Sequence, residues 1–263
     1  MEIVPVNGVE IAYESAGAGP PLVLVHGAAA DSRMWGPQLT GLAGDFRVIA
    51  WDEPGAGRSS GVPAGFTLAG YADCLAGLIA AVAAGPAHVA GLSWGGTLAL
   101  ELSHRHPELV ATLILAGAYA GWKGSLPADE VRARVAGVRA MLAAPDDAFD
   151  PTLPGLFAGD PPPDVVPLMA AMAADVRRES VRTALGLMAE TDLNDRLPRV
   201  AAPTLLLWGE LDARSPLAVA RRFAAEIPDA RLVVLPGAGH MTNLEQPQAF
   251  NAAVRDFCRA HPR

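Results

Sequence analysis

The chain has 263 residues, 51% of them hydrophobic and 18% charged, and carries a net charge of −8 at neutral pH. That length suits one large domain or a core with an insertion, and the composition is that of a globular chain rather than a disordered one. The acidic balance offers no basic face, so no nucleic-acid partner is expected.

The opening "MEIVPVNGVEIAYES" has neither the basic nor the apolar region of a secretory leader. The longest apolar candidate, residues 75–92, is cut by Gly85-Pro86 and falls short as a membrane span, which needs ~18 uninterrupted apolar residues. The expectation is a cytoplasmic protein with no membrane partner. Cys74 and Cys258 make neither a disulfide framework nor a metal cluster and read as buried small hydrophobes.

In chain order, "EIVPV" and "VEIAYES" flank Asn7-Gly8 and predict an edge hairpin. Then come short continuous apolar runs: "PLVLVHG", "FRVIAWD", "HVAGLS", "ATLILAG", "TLLLWGE" and "RLVVLPG". Runs without alternation suit strands covered on both faces, as in a parallel sheet. Helical patterns lie between them at 67–84, 94–106, 216–227 and 243–260. This rhythm predicts an α/β fold, a mostly parallel twisted sheet flanked by helices and joined by right-handed crossovers. There is no internal repeat.

The rhythm stops between residues 118 and 197, which hold helical candidates and the proline-rich "APDDAFDPTLPGLFAGDPPPD". One candidate, 128–143, puts Val131, Val135, Val138 and Leu142 on one face, with Arg132 and Arg139 off it. Eighty residues are too long for a connection. The expected organisation is therefore a core of residues 1–117 and 198–263 with a helical lid insertion at 118–197, over strand ends where open α/β sheets bind ligands.

Within "HVAGLSWGGTLALELSHRH", Gly91-Leu92-Ser93-Trp94-Gly95 fits G-x-S-x-G between a predicted strand and a predicted helix. A serine in a strained turn brings backbones close, where a side chain at Gly91 or Gly95 would clash, and Gly96 extends the clearance. The turn presents the hydroxyl at a helix N-terminus, whose free N–H groups favour developing negative charge. A serine hydroxyl is a weak nucleophile and needs a base. "TLLLWGELDARSP" ends a later strand and offers Asp212, and "RLVVLPGAGHM" ends the next and offers His240 in a loop shaped by Gly237 and Gly239. Glu210, two residues closer to its strand, and Asp52, read as a turn carboxylate, compete with Asp212. His26 reads as shaping its turn. His88 opens a strand, His104 and His106 close a helix, and His261 lies in the tail.

These segments resemble the α/β-hydrolase superfamily in its lid-bearing serine branch. The resemblance rests on "HGAAADSRMW", "DEPGAGRSS", "GLSWGG", "GELD" and "GAGH". It implies the α/β-hydrolase fold and a triad of Ser93, Asp212 and His240. It implies oxyanion donors in the backbone N–H groups of Ala28 and Trp94, motif glycines at Gly27, Gly91 and Gly95, and no metal or organic cofactor. "HGAAADSRMW" with a compact lid is similar to small carboxylesterases and enol-lactonases, so the expected substrate is a small, mostly apolar carboxylic ester or lactone. Carbon–carbon hydrolases of ring-cleavage products, proline iminopeptidases, whose elbow region is similar, and a non-hydrolytic biosynthetic enzyme are alternatives. A ligand receptor is the alternative outside enzymology. A peptidase would need acids over the site, for which Asp129, Glu130, Asp146, Asp147, Asp150, Asp160 and Asp164 are available, although they read as solvated. Oligomeric state is not legible.

Overall fold

The computed structural model describes residues 1–145, Ala148 and 153–262. Among the described residues eight strands form one sheet in the order β1-β2-β4-β3-β5-β6-β7-β8. They are β1 (Glu2–Val6), β2 (Val9–Ala16), β3 (Pro21–Val25), β4 (Arg47–Trp51), β5 (Ala87–Leu92), β6 (Val110–Ala116), β7 (Thr204–Gly209) and β8 (Ala230–Leu235). β1 and β2 pair as the antiparallel hairpin, β2 joins β4 antiparallel, and β3 through β8 run parallel.

The continuous apolar runs follow from the period of two along a strand. Val23, Val89, Leu113 and Leu206 face one hydrophobic cluster, and Leu24, Ala90, Ile114 and Leu207 face another on the opposite side of the sheet. The first cluster is closed by α2 (Leu68–Val82), α3 (Trp94–Arg105) and α8 (Leu217–Glu226), and the second by α1 (Gly36–Gly41) and α10 (Pro247–Ala260). β8 departs from the expectation for buried runs. It is the edge strand, three of its six residues are only half-buried, and Arg231 and Val234 are exposed. The helix expected over 243–260 is also two pieces, α9 (Thr242–Glu245) and α10. The break falls at Gln246-Pro247, where proline opens α10 without needing an N–H of its own.

Between β6 and β7, residues 118–197 contribute α4 (Trp122–Ser125), α5 (Ala128–Ala143), α6 (Val166–Asp175), α7 (Arg178–Glu190) and the start of a 3-10 turn at Asn194–Arg199. Val131, Val135, Val138 and Leu142 of α5 pack toward the first cluster, while Arg132 and Arg139 are exposed. Arg177 donates to the carbonyls of Gly57 (2.7 Å) and Ser59 (2.9 Å), and Ser180 donates to Gly55 O (2.7 Å), which fastens the α6–α7 junction to the loop after β4. No helix among the described residues is long and apolar enough to cross a membrane.

That loop is built on Asp52, whose side chain is fully buried. Its Oδ1 accepts from Ser32 N (2.8 Å) and its Oδ2 from Arg58 N (2.8 Å) and Nε (3.1 Å). Burial raises the carboxyl's pKa, but the hydrogen bonds from Ser32 and Arg58 and the nearby His26 outweigh it and hold the group below the usual range. Asp52→Asn should therefore cost about 2 kcal/mol at neutral pH in urea unfolding. Because the folded pKa is depressed, the stabilisation is present above the unfolded value and lost as pH falls through the folded one. The gap between wild type and variant should narrow on acidification, and a gap independent of pH would refute the charge argument.

Candidate active site

Ser93 sits between β5 and α3 with φ 57° and ψ −115°, a backbone conformation costly for any side-chain-bearing residue. The crowding around it explains the glycines. A Cβ on Gly91 would strike the carbonyl of Gly95, and one on Gly95 would strike the carbonyl of Val25 in β3. Gly27 differs, since a Cβ there would meet Ser93 Cβ at an ordinary 3.7 Å. Trp94 is the first residue of α3, so its N–H is among those with no acceptor inside the helix. Its indole is buried and donates to Glu53 Oε2 at 2.7 Å.

His240 and Asp212 come together from the loops after β8 and β7. His240 Nδ1 lies 2.9 Å from Asp212 Oδ2 and 3.1 Å from Oδ1, with both residues buried. Asp212 Oδ1 also accepts from the amides of Arg214 (2.8 Å) and Ser215 (2.7 Å), so the carboxylate is fixed before the imidazole reaches it. Gly117, at the end of β6, leaves room for the pair. It has φ 49°, and a Cβ on it would come within 3.0 Å of both His240 Nδ1 and Asp212 Oδ2.

The competing residues serve elsewhere. Glu210 Oε2 accepts from Gly237 N (3.0 Å) and shapes the histidine loop. His26 has Nδ1 against Gly27 O (2.8 Å) and Nε2 accepting from Glu53 N (3.1 Å), which braces the turn after β3. His88 contacts Thr112 Oγ1 (2.8 Å), His106 contacts Asp73 Oδ1 (2.7 Å) and His261 contacts Phe257 O (2.9 Å). His104 is exposed. Cys74 and Cys258 are free and buried. Of the candidate acids, Asp129, Asp160 and Asp164 are exposed, Glu130 pairs with Arg134 (2.6 Å), and Asp146, Asp147 and Asp150 lie outside the described residues.

Ser93 and His240 line one cavity open to solvent at its mouth, which Ala28 also lines. Its wall takes five of the chain's seven methionines: Met34, Met169, Met172, Met188 and Met241. Three features of this neighbourhood carried no sequence signal. Ala29, in the turn after β3, is left-handed at φ 59°, although alanine does not announce such a turn. Trp122 joins the cavity wall from α4. Glu53 is buried beneath Trp94 beside His26.

Burial pushes the Glu53 carboxyl up to about 7, against the lowering pull of His26 and the Trp94 indole N–H. The folded state therefore keeps a proton that the unfolded chain gives up near the ordinary glutamate range. By linkage, stability falls as pH rises from about 4.5 to about 7, and the loss is complete above that, at about 3 kcal/mol. Glu53→Gln keeps an acceptor for Trp94 and removes the titration. In denaturation series it should exceed wild type in stability at mildly alkaline pH and lose that advantage in mild acid. An advantage constant across the range would contradict the raised pKa.

The alpha/beta hydrolase family matches residues 22–253. The chain is 31% identical to the pimeloyl-[acyl-carrier protein] methyl ester esterase of Chromobacterium violaceum, over 92% of this chain and 96% of that protein. Among solved structures it resembles a thermophilic esterase from Thermogutta terrifontis with malate bound (TM-score 0.87, 32% identity, full coverage of both chains). It also resembles the enol-lactonase of Burkholderia xenovorans LB400 (TM-score 0.81, 28% identity, 97% and 99% covered). With its eight-stranded, mostly parallel sheet, the chain belongs to the alpha/beta hydrolase family.

Proposed function

We propose that this protein is a serine hydrolase that cleaves small, largely apolar carboxylic esters or lactones through an acyl-enzyme. The observation that carries the reading is the meeting of two things in one apolar cavity: a strained serine at a helix N-terminus and a buried histidine held by a buried aspartate. The esterase and enol-lactonase relatives support the ester class.

In this reading His240 Nε2 takes the proton of Ser93 as Oγ attacks the carbonyl carbon, while Asp212 fixes the Nδ1–H tautomer and stabilises the imidazolium. The tetrahedral oxyanion is held by the N–H groups of Ala28 and Trp94, an interaction worth ~3 kcal/mol per donor in comparable sites. His240 then gives the proton to the departing alkoxide. It next deprotonates the water that releases the acid and regenerates Ser93. The described part of residues 118–197 acts as the lid and adds Met169, Met172 and Met188 to the apolar wall that takes the substrate's apolar part. An aminopeptidase would need a carboxylate to hold the substrate's ammonium. The described wall offers the guanidinium of Arg214 instead, which favours the ester reading.

Ser93→Ala should lower turnover of the best ester by on the order of 10⁶ while leaving the unfolding midpoint within error. A fluorophosphonate probe should label wild type at Ser93 and not the variant. Retention of more than a few per cent of activity would remove Ser93 as nucleophile. Asp212→Asn should cost about 10⁴ in kcat by leaving the imidazole in the wrong tautomer. A larger kcat loss from Glu210→Gln in folded protein would move the acid to the other carboxylate.

A further inference from the structure

Arg214 is out of place in this cavity. It lines the same wall as Ser93 and His240, among methionine, leucine and alanine side chains, and burial lowers its guanidinium pKa. Arginine stays charged even so. Among the described residues no carboxylate forms an ion pair with it, and its side chain makes one long hydrogen bond, Nη1 to Pro154 O at 3.3 Å. Arg134, half-buried nearby, has such a partner in Glu130 at 2.6 Å, and Arg47 and Arg177, half-buried without a carboxylate ion pair among the described residues, each donate to two oxygen acceptors. The carboxylates of Asp212 and Glu130 act on it only through space, so this half-buried cation faces an apolar space without a direct ion-pair partner, a cost that an entering anion relieves.

The position of Arg214 is firmly fixed. Its N–H is bound by Asp212 Oδ1 at 2.8 Å, and its carbonyl accepts from Arg134 Nη2 (2.6 Å) and Tyr119 OH (2.5 Å). Its Cγ and Cδ pass beside Gly155, at 3.9 and 3.8 Å from where a Cβ would stand. The backbone from which the guanidinium extends is therefore fixed relative to the histidine that Asp212 orients. Its planar fork suits a carboxylate, which it can take through two parallel N–H···O bonds.

We propose that Arg214 binds a carboxylate carried by the substrate, so that the preferred substrates are esters or lactones with a second, anionic end separated from the scissile carbonyl by an apolar stretch. This rests on the hydrolase reading above. It deepens it from an apolar ester to an amphipathic one, with the methionine wall taking the chain and Arg214 its charged end. Arg214 is here a specificity residue and takes no part in bond making.

The test compares methyl monoesters of linear dicarboxylic acids, from succinate to suberate, with methyl alkanoates of the same carbon number. Hydrolysis is followed in a pH-stat near neutrality. Wild type should favour the anionic ester by at least about 10-fold in kcat/KM at one or more chain lengths, a ratio that one charge-assisted pair can supply. In Arg214→Gln that ratio should fall to about one, with Arg214→Lys keeping part of it. A merely structural role, as a strut to Pro154, would slow both substrates together and leave the ratio intact. A wild-type preference for the neutral ester at every length, or an unchanged ratio in Arg214→Gln, would overturn the proposal. If no ester is cleaved and Ser93 resists the fluorophosphonate, the hydrolase reading fails separately. The anion site is then judged by calorimetry with the free dicarboxylates, where binding to wild type that is lost in Arg214→Gln sustains it and no binding overturns it.

Discussion

One steric constraint organises the molecule: β3, β5 and the start of α3 approach so closely that only hydrogen fits at Gly91 and Gly95. The approach places a left-handed serine at the carboxyl end of the sheet, with α3 beginning on the next residue. Local strain of that kind costs on the order of 1–3 kcal/mol and persists only where its surroundings over-determine it. Here they do. β5 is buried along its whole length between β3 and β6, and α3 packs its first ten residues into the interior.

Everything else at the site reaches this point from loops beyond the parallel strands. The turn after β3 is braced by His26, and the loop after β4 by Asp52. Asp212 is fixed by two backbone amides before it meets His240, and the segment at 154–158 closes over the histidine loop. Met241 N donates to Leu156 O at 2.9 Å, and Glu245 accepts from both Ala158 N and Gly239 N. The part of the chain between β6 and β7 is thus tied to the histidine loop on one side and to the loop after β4 on the other.

Much of this was legible in the sequence because the signals were local or periodic. Strands covered on both faces write themselves as unbroken apolar runs, and the elbow announces itself through small residues in a short span. β8 carries the same apolar run although it is an edge strand, because valine and leucine are as welcome on a half-exposed edge as in a core. The break between α9 and α10 is marked in the sequence only by Pro247, a helix-start residue inside an otherwise continuous helical pattern. The illegible features depend on partners distant in sequence. Glu53 lies in the glycine-containing segment "DEPGAGRSS", and its buried partner is Trp94, 41 residues on. Arg214 follows a recognisable acid motif, but its place in the cavity depends on a proline-rich stretch 60 residues earlier. Ala29 carries its left-handed turn with no marker at all.

The methionine wall makes the cavity's character depend on redox chemistry. A thioether is polarisable and apolar, and unbranched side chains let such a wall adapt to ligands of different outline. Each sulfur is also two electrons away from a sulfoxide, which is polar, chiral and a strong acceptor. Met34, Met172, Met188 and Met241 are buried, whereas Met169 is only half-buried and meets an oxidant first. A single oxygen atom added there would put a dipole where the pocket now presents hydrocarbon and sulfur. The softness of this cavity wall and its chemical liability to oxidation thus reside in the same five sulfur atoms.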